Sequence, residues 1–116
     1  MRFMSLYRTA PTTTPPSEKL MAQMGQLIEE MTKNGSLIAT GGWSPTTPCT
    51  IVSSTSAGLR VTDGPYSEAK EVIAGYALLE ASSREAAIAL TKRFLEVAGE
   101  GSCELRQLGG PGDGCA

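Results

Sequence analysis

The sequence predicts an α+β domain in which two βαβ units share one antiparallel sheet and a hairpin is inserted between them. Three observations predict it. Residues 17–34 and 82–97 carry apolar side chains at helical spacing. Short strand-like runs precede and follow both segments, and two more flank a glycine turn near residue 58. A chain of 116 residues has room for one such domain.

The first unit begins with a strand over residues 2–8, which is short, rich in aromatic and apolar residues, and followed by Pro11. The next segment repeats apolar residues along one helix face: Leu20, Met24, Leu27, Ile28 and Met31. Asn34-Gly35 ends this helix, because glycine readily adopts the conformation that follows a last helical turn. Residues 36–40 then form the second strand.

The middle of the chain holds the predicted hairpin, with strands at 50–53 and 59–62, and a strand at 72–79 that is apolar on both faces. Alternation divides this strand into two sets, with Ile73, Ala77 and Leu79 on one face and Val72, Ala74, Tyr76 and Leu78 on the other. Helices on one side of a sheet leave its other face bare, so the second apolar face needs a cover. The sequence therefore predicts a homodimer through the open sheet face.

The chain closes with a helix, a strand and a tail. Ser82 and Glu85 match a capping box, with Ser82 as N-cap of a helix that ends near Val97. Residues 102–108 form the last strand. This order is the ferredoxin-like split βαβ plan of a four-stranded antiparallel sheet with two helices on one face. We expect a single domain over residues 1–108 and a flexible C-terminal tail over residues 109–116.

Charge and cysteine content exclude several classes of partner. Ten Lys and Arg stand against twelve Asp and Glu, a net charge of −2, so no basic field is available for nucleic acid. The N-terminus lacks the apolar core of a signal peptide, and no apolar run approaches the roughly 20 residues of a membrane span. Cys49, Cys103 and Cys115 are widely spaced, which indicates free thiols. A cytoplasmic location is expected.

Histidine is absent, and this removes the commonest routes to catalysis. Ser-His-Asp and Cys-His nucleophiles and His-rich zinc sites are all excluded. There is also no close cysteine pair and no Asp-rich loop. The sequence predicts neither a metal nor a cofactor, and proton transfer would have to use carboxylates, Lys, Tyr or a thiol.

One polar, turn-forming segment lies between two apolar runs and carries a recognisable signature. Its features, in order, are Val61-Thr62-Asp63-Gly64-Pro65-Tyr66, Glu68, Lys70-Glu71, Gly75-Tyr76, the helix start at 80–87 and Glu104-Leu105-Arg106. In these features the chain resembles the YCII-related proteins, in the branch called DGPF after its Asp-Gly-Pro-Phe motif. The resemblance extends from residue 2 to about residue 108 and implies a dimeric α+β barrel.

Two departures limit what the resemblance implies about function. Tyr66 replaces the phenylalanine of the motif and adds a hydroxyl. The family also implies a His–Asp pair in its active site, which a chain without histidine cannot form. Proteins of the DGPF branch are often encoded beside extracytoplasmic-function sigma factors, which implies a regulatory setting.

The signature segment is where we expect a small organic ligand to bind, in a cleft between sheet and helices. Candidate ligand-binding residues are Tyr7, Trp43, Tyr66, Lys70 and Tyr76. A second hypothesis is a cofactor-free isomerase or lyase, with Asp63 or Glu71 as the catalytic base and Lys70 or Tyr66 stabilising negative charge. A third is a protein-interaction module linked to a sigma factor, using Trp43 and the inserted hairpin. A purely architectural role is the alternative: Asp63 caps the turn, and Lys70 pairs with Glu71.

Overall fold

The computed structural model describes residues 1–10, 16–43, 49–64 and 72–109. The elements are β1 (Arg2–Thr9), α1 (Glu18–Lys33), β2 (Leu37–Gly42), β3 (Cys49–Thr55), β4 (Gly58–Gly64), β5 (Val72–Glu80), α2 (Arg84–Ala98) and β6 (Ser102–Leu108). Four strands form an antiparallel sheet in the order β2-β5-β1-β6, and β3 pairs with β4 as a separate hairpin. The predicted ferredoxin-like α+β fold with its inserted hairpin is confirmed.

The core lies between the two helices and one face of the sheet. Phe3 and Leu79 pair across β1 and β5, and each side chain is 3% exposed. Above them pack the predicted inward faces of the helices, with Leu27, Met31 and Ala87 buried. Burying side chains of this size stabilises the fold by roughly 1.5–3 kcal/mol for each large one. No helix in the described part of the chain is long and apolar enough to cross a membrane.

The ladder between β1 and β5 contains an irregularity that alternation in the sequence does not reveal. The register shifts between Tyr7 and Arg8, so that Tyr7 pairs with Gly75 but Arg8 pairs with Ile73. Arg8 lies on the sheet face away from the helices, together with Leu6 and its pairing partner Tyr76. Because Ile73 pairs with Arg8, we place Ile73 on that face as well. The prediction that Ile73 shares a face with Ala77 is therefore wrong, because an extra residue in one strand changes which face the next side chains take.

The second helix begins one residue later than predicted. Ser83, not Ser82, is the N-cap, and its hydroxyl accepts a hydrogen bond of 3.1 Å from the backbone N–H of Ala86. The predicted capping box is wrong, since Glu85 occupies the second helical position rather than the third. The first helix ends as predicted, at Asn34 with Gly35 at φ 83°. The predicted tail, from residue 110 onward, lies outside the described residues.

Removing the Ser83 hydroxyl should destabilise the protein, because one amide at the start of α2 loses its partner. We expect Ser83→Ala to lower the free energy of unfolding by about 1 kcal/mol, measured by urea denaturation. Ser82→Ala is the matched control and should change it by much less. An equal loss in the two variants would contradict the assignment of Ser83 as the cap.

Candidate functional site

A cavity of about 280 Å³ lies between the sheet and the two helices. Its helix side is formed by Met24, Leu27, Ile28, Met31, Leu90, Thr91 and Phe94. Its sheet side is formed by Ser5, Tyr7, Leu37, Thr40, Gly41, Gly42, Ala74, Gly75, Tyr76, Ala77 and Leu79. Most of this surface is apolar, as is typical of small-molecule sites.

The cavity exists because the sheet side chains that face the helices become smaller toward one end of the sheet. At the filled end, one cross-strand row joins Leu37, Leu79 and Phe3. The next row joins Thr40, Ala77 and Ser5, and the last joins Gly42, Gly75 and Tyr7. Two adjacent strands thus change from leucine to glycine within three rows. The helices above the glycine end have little beneath them to pack against.

Tyr7 forms the wall of the glycine end and is held from three sides. Its hydroxyl donates a hydrogen bond of 2.8 Å to the backbone carbonyl of Glu100. Its ring meets Phe94 edge to face, with centroids 5.1 Å apart and planes at 82°. Gly101 has φ 146°, and a Cβ at this position would lie 2.6 Å from Tyr7 Cε1. Only glycine therefore allows the backbone to lie against this ring.

Two polar residues are buried in the described part of the chain, Ser5 and Thr91, and both line the cavity. The Thr91 hydroxyl donates to the Ala87 carbonyl at 2.9 Å. The Thr40 hydroxyl, at the cavity edge, donates to the Tyr76 carbonyl at 2.9 Å. These hydroxyls place a few polar atoms in otherwise apolar surroundings.

Cys103 lies next to the cavity, opposite Tyr7 in the β1–β6 ladder. Burial raises the pKa of its thiol, and the nearby Ser5 hydroxyl offsets part of that rise. A raised pKa keeps the sulfur protonated near neutrality, which is the opposite of what an activated nucleophile needs. Within the described ranges, no group of three Cys, Asp or Glu side chains is placed to hold a metal ion.

Three of the predicted ligand-binding residues, Tyr7, Tyr76 and Trp43, lie in the described part of the chain and can be compared with the cavity. Tyr7 lines it, as described above. Tyr76 lines it as well, but its pairing with Leu6 directs its side chain to the face away from the helices, where the ring covers Gly41. Trp43 is 45% exposed, and its backbone N–H binds the carbonyl of Ala74 at 2.9 Å, at the glycine end of the cavity.

Of the predicted site residues between positions 63 and 71, Asp63 lies in the described part of the chain. Asp63 is exposed on β4 and accepts a hydrogen bond of 2.9 Å from the Thr50 hydroxyl across the hairpin. It is not among the residues that line the cavity. Tyr66, Lys70 and Glu71 lie outside the described residues, so their predicted roles, and that of Asp63 as a base, stay predictions.

Sequence reasoning missed the small residues that create the site, above all Gly42, Gly75 and Ala77, and also missed Thr91. A usable signal was present: Gly41-Gly42 and Ala74-Gly75 interrupt two strands, and glycine within a strand often marks a close approach or an open space. Recognising that Gly42 lies opposite Gly75 requires the strand order, which the sequence does not state.

The fold and the cavity together define the class of protein. It is a small α+β domain in which a four-stranded sheet and two helices enclose a mostly apolar pocket. Within this class, the model of the YCII-related domain matches residues 1–108. The chain belongs to the YCII-related family. Among curated proteins, none matches the chain.

The raised pKa and the burial of Cys103 should be visible in its reactivity. In a Cys115→Ala variant, we expect iodoacetamide to modify exposed Cys49 clearly faster than Cys103 at pH 8, followed by peptide mass spectrometry. Because the pKa is raised, the rate at Cys103 should continue to increase at higher pH than is usual for a free thiol. In urea the two rates should converge. Equal rates in the folded protein would contradict the placement of Cys103.

Proposed function

We propose that the protein binds a small, largely apolar organic molecule in the cavity between its sheet and helices. The observation that carries this proposal is the change from Leu37 and Leu79 to Gly42 and Gly75 beneath continuous helices. Protein interiors normally fill such space, because every unfilled volume loses dispersion contacts. A cavity of about 280 Å³ is large enough for a ring system, since an engineered apolar cavity of about 150 Å³ already binds benzene.

The location of the signature segment supports the same site. β5 begins at Val72, immediately after that segment, and Ala74 and Gly75 at the cavity follow within three residues. In the sequence, the Asp-Gly-Pro-Tyr segment therefore comes shortly before the strand residues at the glycine end of the sheet. A role for Asp63 or Glu71 as the base of an isomerase or lyase is a finer hypothesis, and it requires a ligand at this end.

Methionine methyl groups provide a direct test. Met24 and Met31 line the cavity, whereas Met21 on the same helix is 61% exposed. With ¹³C-methyl methionine, small phenols and lactones should shift the Met24 and Met31 signals and leave Met21 unchanged. Ligand binding should also raise the melting temperature. Shifts confined to Met21, or none with any compound, would contradict the proposal.

Filling the cavity should abolish binding without unfolding the protein. Ala77→Leu adds three carbons to the floor of the cavity, so we expect stability to be kept or slightly increased and the ligand-induced shifts at Met24 and Met31 to be lost. Ala89→Leu adds the same group to the exposed face of α2 and should bind as the parent does. Binding that survives in a folded Ala77→Leu variant would show that the ligand lies elsewhere.

We also propose that the open sheet face joins two copies of the chain. Leu6, Leu78 and Met4 lie at its centre, where the register puts them on the side away from the helices. Ion pairs flank this centre, Arg2 with Glu80 at 3.7 Å and Arg8 with Glu104 at 3.0 Å. An apolar centre with a charged rim is the usual composition of a protein interface.

Charge introduced at the centre of this face should separate the copies. Met4→Glu places a carboxylate beside Arg106. The two side chains can form an ion pair in the monomer, but burying that pair in a closed interface costs free energy. We expect light scattering to give twice the chain mass of 12.1 kDa for the parent and one chain mass for Met4→Glu. Ala22→Glu, on the exposed side of α1, is the control and should stay dimeric. A monomeric parent would contradict the proposal.

The interaction-module hypothesis is favoured by one separate observation. On one face of the hairpin, Val52 is paired with Val61, and Leu59 lies two residues from Val61 on the same face. Their exposed fractions are 68%, 65% and 81%. A two-stranded hairpin is only marginally stable alone, so this apolar face favours a covering partner. A sigma-factor system is the setting that the family resemblance suggests for such a partner.

A further inference from the structure

The polar atoms inside the cavity define the chemical character of its ligand more closely than its volume does. Ser5 projects from β1 on the sheet side, and Thr91 belongs to α2 on the helix side. They are 6% and 9% exposed, so neither hydroxyl is freely solvated. A ligand in the cavity therefore meets polar atoms from both layers in surroundings where an unmatched hydrogen bond is costly.

The hydroxyls of Thr91, Tyr7 and Thr40 already donate their hydrogens to backbone carbonyls. A hydroxyl has one hydrogen to donate and two lone pairs to accept with. Thr91 donates to the Ala87 carbonyl at 2.9 Å. Tyr7 donates to the Glu100 carbonyl at 2.8 Å, and Thr40 to the Tyr76 carbonyl at 2.9 Å.

Each of these three hydroxyls has only lone pairs left for a ligand, so toward the ligand it acts as a hydrogen-bond acceptor. Apart from Ser5, the other described lining residues are aliphatic, aromatic or glycine, and none of the described ones carries a charge. A carboxylate entering this space would find acceptors facing its own acceptors and would leave its charge unpaired. Burial of an unpaired charge is more costly than burial of any neutral polar group.

We propose, on the basis of the proposed function, that the cavity selects an uncharged ligand with an apolar ring and a hydrogen-bond donor, an N–H or O–H group whose hydrogen bond Thr91 Oγ1 accepts. The ring occupies the space above Gly75 and Ala77. The donor makes the polar contact.

Two pairs of probes of matched shape test this proposal. Indole and benzofuran differ in carrying an N–H donor or an ether oxygen, and benzamide and benzoate differ in charge. Binding is followed at the Met24 and Met31 methyl groups, with Met21 as the internal control. We expect indole to bind about tenfold more tightly than benzofuran, which is the ratio for about 1.4 kcal/mol of hydrogen-bond difference. Benzamide should bind, and benzoate should give no shift at pH 7.

Variants of Thr91 assign the acceptor. Thr91→Val keeps the shape of the side chain and removes the oxygen, so the preference for indole over benzofuran should fall, whereas Thr91→Ser should keep it. A preference unchanged in a folded Thr91→Val variant would overturn the acceptor assignment.

The outcomes for the two proposals are distinct. If benzofuran binds as tightly as indole, or benzoate as tightly as benzamide, the proposed selectivity is overturned but the ligand site remains. Failure of all four probes, and of the phenols and lactones, to shift Met24 or Met31 would overturn the site itself. Loss of every probe in Ala77→Leu would confirm that the selected ligand occupies the cavity.

Discussion

The packing of two continuous helices over a sheet whose side chains become smaller is the constraint on which the rest of the structure depends. A helix is a straight, stiff element, and it cannot bend to follow a floor that falls from leucine to glycine within three rows. At the filled end Phe3 and Leu79 support both helices and hold the fold together. At the other end the same helices bridge an open space. The packed core therefore lies at one end of the sheet, and the proposed binding site lies at the other.

The remaining features of the cavity follow from this division. Among the described residues of the row that joins Gly42, Gly75 and Tyr7, Tyr7 is the only one with a large side chain. Its hydroxyl and ring are held by Glu100, Gly101 and Phe94. It therefore closes the space as a wall rather than filling it. The buried Thr91 hydroxyl is satisfied by the Ala87 carbonyl, so it costs the empty protein little and still leaves lone pairs toward a ligand.

The sequence was a good guide wherever the pattern is local. The apolar stripe from Leu20 to Met31 predicted the buried face of α1, and Asn34-Gly35 predicted its end. Local patterns were insufficient where two neighbours compete or where strands meet. Ser82 and Ser83 are both acceptable caps, and the chain uses Ser83. The register shift beside Tyr7 arises from pairing between strands distant in sequence, which alternation within one strand cannot reveal.

The candidate site shows the same difference between local sequence patterns and contacts between distant segments. The sequence by itself determined the fold and the family resemblance, because periodicity and turn signals act over a few residues. Only the tertiary structure decided that Gly42 lies opposite Gly75, and that the resulting space is roofed by both helices. A cavity forms where side chains from different strands and helices are too small to contact one another. That information is carried by strand order and register, and no single segment of the chain contains it.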